Sequence, residues 1–244
     1  MSCVVYAEKT DNLKKLKRIS NYLDYDLVTD FPKEGSYIGI SDKGLYFIQD
    51  AINPTNPLSV DFLSGSMGWR IRRADHETLL KKTLGKIKEP IRIFDATAGL
   101  LSDAIIFLSL GHKVIACEQS KILYLLVLDA CNRAKEDLPF LSNLELINGD
   151  SALIYKDYKD IDAVYLDPMY PESNKNALRA GSLNAIRDIL NLEGIVDKAD
   201  LLFEEFKNQD CKKIILKRPI KSQKICSNIN YQIKGKTTRF DVYI

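Results

Sequence analysis

Ile91-Arg92-Ile93-Phe94-Asp95-Ala96-Thr97-Ala98-Gly99-Leu100-Leu101-Ser102-Asp103 is the stretch whose reading decides the fold. Its first five residues read as an apolar strand that ends on an acid, and Ser102 to Leu110 reads as a helix stopped by Gly111. His112 to Glu118 is the next strand, and a long helix runs from Lys121 to about Ala134. Leu144 to Ile147 gives a third strand, Ser151 to Tyr155 a short helical stretch and Ile161 to Leu166 a nearly all-apolar fourth strand. Two helical segments, near 183–190 and 197–207, precede a fifth strand at Lys213 to Lys217. Ile225 to Ile233 and Arg239 to Ile244 close the chain as two further strands.

Strands alternating with helices imply right-handed crossovers and a mostly parallel sheet. The last connection, Lys234-Gly235-Lys236-Thr237-Thr238, is too short for a parallel crossover, so the final two strands are antiparallel neighbours. Five parallel units closed by an antiparallel hairpin is the seven-stranded, Rossmann-like α/β arrangement of class I S-adenosylmethionine-dependent methyltransferases. The chain ahead of this region differs. Cys3 to Ala7 reads as a strand, Asp11 to Leu23 as a basic amphipathic helix, and Ser41-Asp42-Lys43-Gly44 as a hairpin turn. Two prolines in Asn53-Pro54-Thr55-Asn56-Pro57 set the expected boundary: a small α+β appendage over 1–57 and the main domain over 58–244.

Ligands of doubly wound sheets bind beyond the carboxyl ends of the strands, so the loops there carry the chemistry. In the first, Gly99 lets backbone approach a ligand, Asp95 can accept from a cationic amine, and Ser102 and Asp103 suit a helix start. A dinucleotide site needs three glycines to cradle a pyrophosphate, and this loop has one. That disfavours NAD and FAD and leaves S-adenosylmethionine, which carries an ammonium and a sulfonium. A tight strand-to-helix turn with no ligand reads the same way. Glu118 ends the second strand 19 residues after Gly99, where an acid can accept both ribose hydroxyls. Asp150 and Ser151 stand where adenine contacts are expected, although Gly-Asp-Ser is also a common helix start.

Tyr165-Leu166-Asp167-Pro168-Met169-Tyr170-Pro171 follows the fourth strand and is the most informative motif. It is similar to the (Asn/Asp/Ser)-Pro-Pro-aromatic loop of enzymes that methylate exocyclic base amines. Such an amine is a poor nucleophile because its lone pair is delocalised into the ring. The Asp167 carboxylate and the Pro168 carbonyl can accept its two N–H groups and turn the lone pair towards a methyl donor. Tyr170 supplies a ring on which the base stacks.

Charge is segregated although the net charge is only +2. Residues 212–244 hold nine Lys/Arg and one acid, and residues 69–92 hold eight Lys/Arg and three acids. Arg70, Arg72, Arg73, Lys217, Arg218 and Lys236 are candidate phosphate contacts, the alternative being solvated faces. Trp69 reads as a packing residue. Five widely spaced cysteines without a CxxC pair suggest reduced thiols in the cytoplasm, and two isolated histidines suggest no metal site. No apolar run approaches the roughly 18 residues of a membrane helix, and a 45% hydrophobic, 28% charged composition excludes disorder.

Taken together, the motifs resemble the RsmJ family, the 16S ribosomal RNA guanine-N2 methyltransferases. The resemblance covers the chain from about Val60 onward. It rests on Val60-Asp61-Phe62 with Met67 and Arg72-Arg73, the Asp95–Leu100 loop with Asp103, and Val164 to Pro171. Lys217-Arg218-Pro219 and the ending Lys236 to Tyr243 complete it. It implies S-adenosylmethionine as methyl donor and a guanosine of 16S ribosomal RNA, free or in the small subunit, as acceptor. It further implies that Ser102, Asp103, Glu118, Gln119, Asp150, Ser151 and Asp167 line the cofactor site. This chain departs from the family at Leu101 and Ser102, where the family has glycine and arginine, and at Gln119, where it has arginine. Two other readings stay open: a DNA adenine or cytosine amino-methyltransferase, and a non-catalytic RNA-binding assembly factor on the same fold.

Overall fold

The computed structural model describes residues 2–8, 10–54, 56–169, 181–196 and 199–244. In chain order its elements begin β1 (Cys3–Tyr6), α1 (Leu13–Leu23), β2 (Leu27–Val28), β3 (Ser36–Ser41), β4 (Gly44–Ile48), β5 (Leu58–Ser59) and α2 (Gly65–Arg72). They continue α3 (Thr78–Leu84), β6 (Arg92–Asp95), α4 (Ala104–Ser109), β7 (Lys113–Glu118), α5 (Lys121–Ala134), β8 (Leu144–Asn148) and α6 (Ser151–Ile154). The last are β9 (Ala163–Leu166), α7 (Gly181–Leu192), α8 (Ala199–Lys207), β10 (Ile214–Pro219), β11 (Tyr231–Lys234) and β12 (Thr238–Tyr243). Among described residues the chain forms two compact units, one drawn from 1–62, 120–134 and 172–196, the other from 63–119, 135–171 and 197–244.

The first unit is built on a five-stranded sheet ordered β2-β1-β3-β4-β5. Because Phe47 pairs with Leu58, this sheet extends two residues past the expected boundary at 57. α1 buries Leu16, Ile19, Ser20 and Leu23, one stripe at helical spacing. β3 and β4 form the expected hairpin, closed by the Ser41–Gly44 pair. Gly44 has φ +100°, and a Cβ there would lie 2.4 Å from both Arg133 Nε and Asp129 Oδ2, so only glycine fits. Asp129 on α5 is the hub beside it, accepting from Lys15 Nζ at 2.7 Å, the Leu45 N–H at 2.9 Å and Arg133 Nε at 2.9 Å.

The second unit holds the seven-stranded sheet, ordered β11-β12-β10-β9-β6-β7-β8. β8, β7, β6, β9 and β10 run parallel, and β12 lies antiparallel between β10 and β11. This is the class I methyltransferase sheet. The chain leaves β6 for β7 on one side and β9 for β10 on the other, so the winding reverses between β6 and β9. One face buries Phe94, Ile115, Val164, Leu166, Ile214 and Leu216 with Phe203 and Phe206 of α8 and Tyr155. The period of two turns Asp95, Tyr165 and Lys217 to the opposite face, where the Tyr165 ring meets Phe107 of α4 edge-on at 5.3 Å.

Two expectations need correcting. The strand expected over 225–233 is only Tyr231–Lys234. Ahead of it the Ile229 N–H turns back to the Ser227 carbonyl, and the Asn230 side chain accepts from the Ile244 N–H. Ser and Asn compete here for the backbone bonds a ladder would use. The helix expected from Ser102 begins at Ala104, because the Asp103 carboxylate is drawn to side chains rather than to the helix end.

Candidate active site

Four carboxylates gather where β6, β7 and β9 end: Asp95, Asp103, Glu118 and Asp167. Each comes from a carboxyl-end loop or strand terminus, and the register sets Asp95 beside Tyr165, two residues ahead of Asp167. Asp103 is buried and accepts from Lys217 Nζ at 2.7 Å, Arg70 at 2.8 Å and the Tyr165 hydroxyl. Lys217 also donates to Asp167 at 2.7 Å, so one ammonium ties the first loop to the Asp-Pro loop. A second tie is independent of charge: the Asp167 N–H donates to Thr97 Oγ1 at 2.6 Å.

The acids differ in strength for stated reasons. Burial pushes Asp95 up to about 8; the Thr97 N–H opposes this, and the charges of Asp103, Asp167 and Glu118 add to it. Burial also raises Asp103, but Lys217 and Arg70 outweigh it and hold that carboxyl below its ordinary range. Burial raises Asp167 above its ordinary value, with Lys217 only partly offsetting. Burial opposes the charged form of Lys217, yet Asp103 and Asp167 together leave its ammonium more basic than usual.

Glu118 is buried at the end of β7, and its Oε2 accepts the Gly99 N–H at 2.7 Å. Gly99 has φ +51°. Leu101 has φ +58° and no exposed surface. The left-handed region costs a non-glycine residue roughly 1–2 kcal/mol, and burial of the isobutyl group offsets it. Replacing Leu101 by Gly should relieve that cost but leave a cavity worth about 2–5 kcal/mol, a net destabilisation of about 1–3 kcal/mol. Urea unfolding checks this, and an unchanged or raised midpoint would show that the backbone strain dominates.

The other expected residues are placed as follows. The Asp150 carboxylate caps α6, accepting from the Ala152 and Leu153 N–H groups, and Ser151 is buried behind it. Gln119 and Ser102 are exposed; the Gln119 carbonyl accepts from Asn148 Nδ2 and the Ser102 carbonyl from Arg70. Pro168 is buried, and Tyr170 lies outside the described residues. Of the candidate phosphate contacts, Arg72, Arg73 and Lys236 are exposed. Arg70 is held by Glu77 at 2.6 Å as well as by Asp103, and Arg218 is buried with its Nε on Ser222 Oγ. With Lys217 also inside the site, Arg70, Lys217 and Arg218 are hydrogen-bonded to other side chains, which net charge could not reveal. Trp69 is exposed rather than packed. Thr97 was not singled out in the sequence, although its place two residues after a strand-ending acid was the available signal.

With Asp95 protonated near neutral pH, Asp103, Glu118 and Asp167 against the two cations Arg70 and Lys217 still leave the cluster net negative. That donor set fits an ammonium, a sulfonium and a ribose diol, and it does not fit a pyrophosphate. Among described residues no group of three or more His, Cys, Asp or Glu is arranged to hold a metal ion, and no helix is long and apolar enough to cross a membrane.

Comparison with known proteins bears on the family and the fold. Residues 25–244 match the family described as "Putative SAM-dependent methyltransferase". A ribosomal RNA small subunit methyltransferase J of Bdellovibrio bacteriovorus is 32% identical over 192 residues, 77% of this chain and 74% of the relative. Its counterpart from Alcanivorax borkumensis is 34% identical over 191 residues, 77% of this chain and 75% of the relative. In fold, the chain is similar to the crystal structure of a SAM-dependent methyltransferase of Neisseria gonorrhoeae, with a TM-score of 0.73 and 24% identity over all of this chain and 96% of that one. A family match over residues 25–244, with relatives at 32% and 34% identity across most of both chains, establishes that the chain belongs to the ribosomal RNA small subunit methyltransferase J family of SAM-dependent methyltransferases.

Proposed function

We propose that this protein transfers the methyl group of S-adenosylmethionine to the exocyclic N2 amine of a guanosine in 16S ribosomal RNA, free or within the small subunit, in the cytoplasm. The observation that carries the reading is Asp167, held at the sheet edge by Thr97 and Lys217 within one cluster with Asp95, Asp103 and Glu118. S-adenosylmethionine supplies, when bound, an electrophilic methyl on a sulfonium. Asp95 receives the ammonium of its methionine part, and Glu118 the ribose hydroxyls, with Gly99, Ser102, Asp103, Gln119, Asp150 and Ser151 lining the rest. Asp167 and the Pro168 carbonyl accept the two N–H groups of the guanine amine, which aims its lone pair in line with the methyl. In-line displacement at that methyl would leave a surplus proton on nitrogen, and the hydrogen bond to Asp167 would give it an exit. Asp167 has a raised proton affinity, which suits that exit. Sequence position assigns base stacking to Tyr170, and Arg72, Arg73 and Lys236 supply exposed positive charge for phosphates.

Calorimetric titration with S-adenosylmethionine tests the donor half. Wild type should bind, and Glu118→Ala should bind about 10–100-fold more weakly, since it loses hydrogen bonds to two hydroxyls and the anchor of Gly99. Equal affinity would remove Glu118 from the site. No binding in the presence of RNA would favour a non-catalytic RNA-binding factor, and methylation of DNA over RNA would favour a DNA amino-methyltransferase.

A further inference from the structure

The exposed face of α2 carries Trp69, which has no part in the chemistry above, beside Arg72 and Arg73. At about 100° per residue, Trp69, Arg72 and Arg73 fall on one side of the helix, and buried Ile71 falls on the other. Trp69 is 58% exposed, and the Arg73 guanidinium lies 5.0 Å from its ring centroid. α2 contains no acidic residue. The indole presents a wide accessible ring surface with a guanidinium stacked against it, an arrangement that favours a planar or anionic ligand. The adjoining Arg70 ties this face to the active site, because it donates to the Ser102 carbonyl at 2.6 Å and to Asp103 at 2.8 Å.

We propose that this face is a stacking platform on which Trp69, flanked by Arg72 and Arg73, holds an unpaired nucleotide of the RNA next to the one that is methylated. The inference rests on the RNA-methylating reading and adds to it the single-stranded character of the bound segment. An aromatic ring with arginine over it takes a base by its π-face and the adjoining phosphate by charge. Bases in an A-form duplex are already stacked and expose no such face. The positive charge and the lack of acids favour a polyanion over a protein partner.

Trp69 is the only tryptophan in the chain, so its emission reports on this face without a label. The titrants are a guanosine-containing single-stranded oligoribonucleotide of about ten nucleotides, within the usual site size, and heparin as a polyanion without bases. Saturable quenching by the RNA and none by heparin is expected. Trp69→Ala should weaken RNA binding about tenfold, Trp69→Phe should recover most of it, and the salt dependence should stay unchanged because no charge is lost. An unaltered heat of S-adenosylmethionine binding would show that the Ala variant is folded. Unchanged emission at RNA concentrations that saturate filter binding, or wild-type affinity in Trp69→Ala, would overturn the platform while leaving the RNA reading standing. Binding of S-adenosylmethionine without any RNA binding would overturn both.

Discussion

Asp167→Ala should lower the methyl-transfer rate about 10²–10³-fold at saturating donor and RNA, with little change in stability. The side chain is half-buried, and its loss leaves the loop tethered through the Asp167 backbone N–H to Thr97. Lys217 keeps its bond to Asp103, so no buried charge is stranded. What disappears is the acceptor that turns the amine lone pair towards the methyl. Asp167→Asn retains an oxygen acceptor and should fall between wild type and the Ala variant. Single-turnover rates check this. An Ala variant within a few-fold of wild type would remove Asp167 from the chemistry and leave it a structural partner of Lys217.

The second large effect is on pH dependence, through Asp95. Its carboxyl holds a proton to about pH 8 in the folded protein and releases it near the ordinary value of 3.8 in the unfolded chain. The folded state therefore binds more protons between these limits, and stability falls as pH rises from about 4 to about 8, on the order of 1 kcal/mol per pH unit within the window. Asp95→Asn removes this slope while its amide oxygen can still accept the Thr97 N–H, so the variant should be the more stable protein at pH 8. It should also bind S-adenosylmethionine about 10–100-fold more weakly, because a charge-assisted bond to the ammonium is lost. In wild type the arriving cation should expel the Asp95 proton, so affinity should rise with pH towards 8. Denaturant midpoints across pH, with calorimetry in buffers of different ionisation heat, check both effects. A flat stability profile or binding without proton release would contradict this role.

The fold was legible because each unit of the sheet announces itself. Apolar strands end on Asp95, Glu118 and Asp167, and short turns carry Gly99 or Pro168. The antiparallel closure followed from a connection too short to cross over. Where the reading failed, long-range partners decided. Asp103 resembles a helix cap in sequence, yet Lys217, Arg70 and Tyr165 reach it from positions distant along the chain. Arg70 and Lys217 resemble phosphate contacts until their carboxylates are seen. Trp69 resembles a core residue because a short helix with two glycines has too weak a periodicity to show which side is wet. Leu101 shows no sign in sequence of its left-handed backbone, which is imposed by the loop and sustained by burial.

The central claim is tested most directly by incubating wild type and Asp167→Ala with S-adenosylmethionine and small-subunit ribosomal RNA lacking its methyl groups. The RNA is then digested and its nucleosides identified by mass spectrometry. The proposed chemistry predicts N2-methylguanosine with wild type and almost none with the variant. Methyl groups on adenosine or cytidine, or RNA that is bound but never modified, would contradict it.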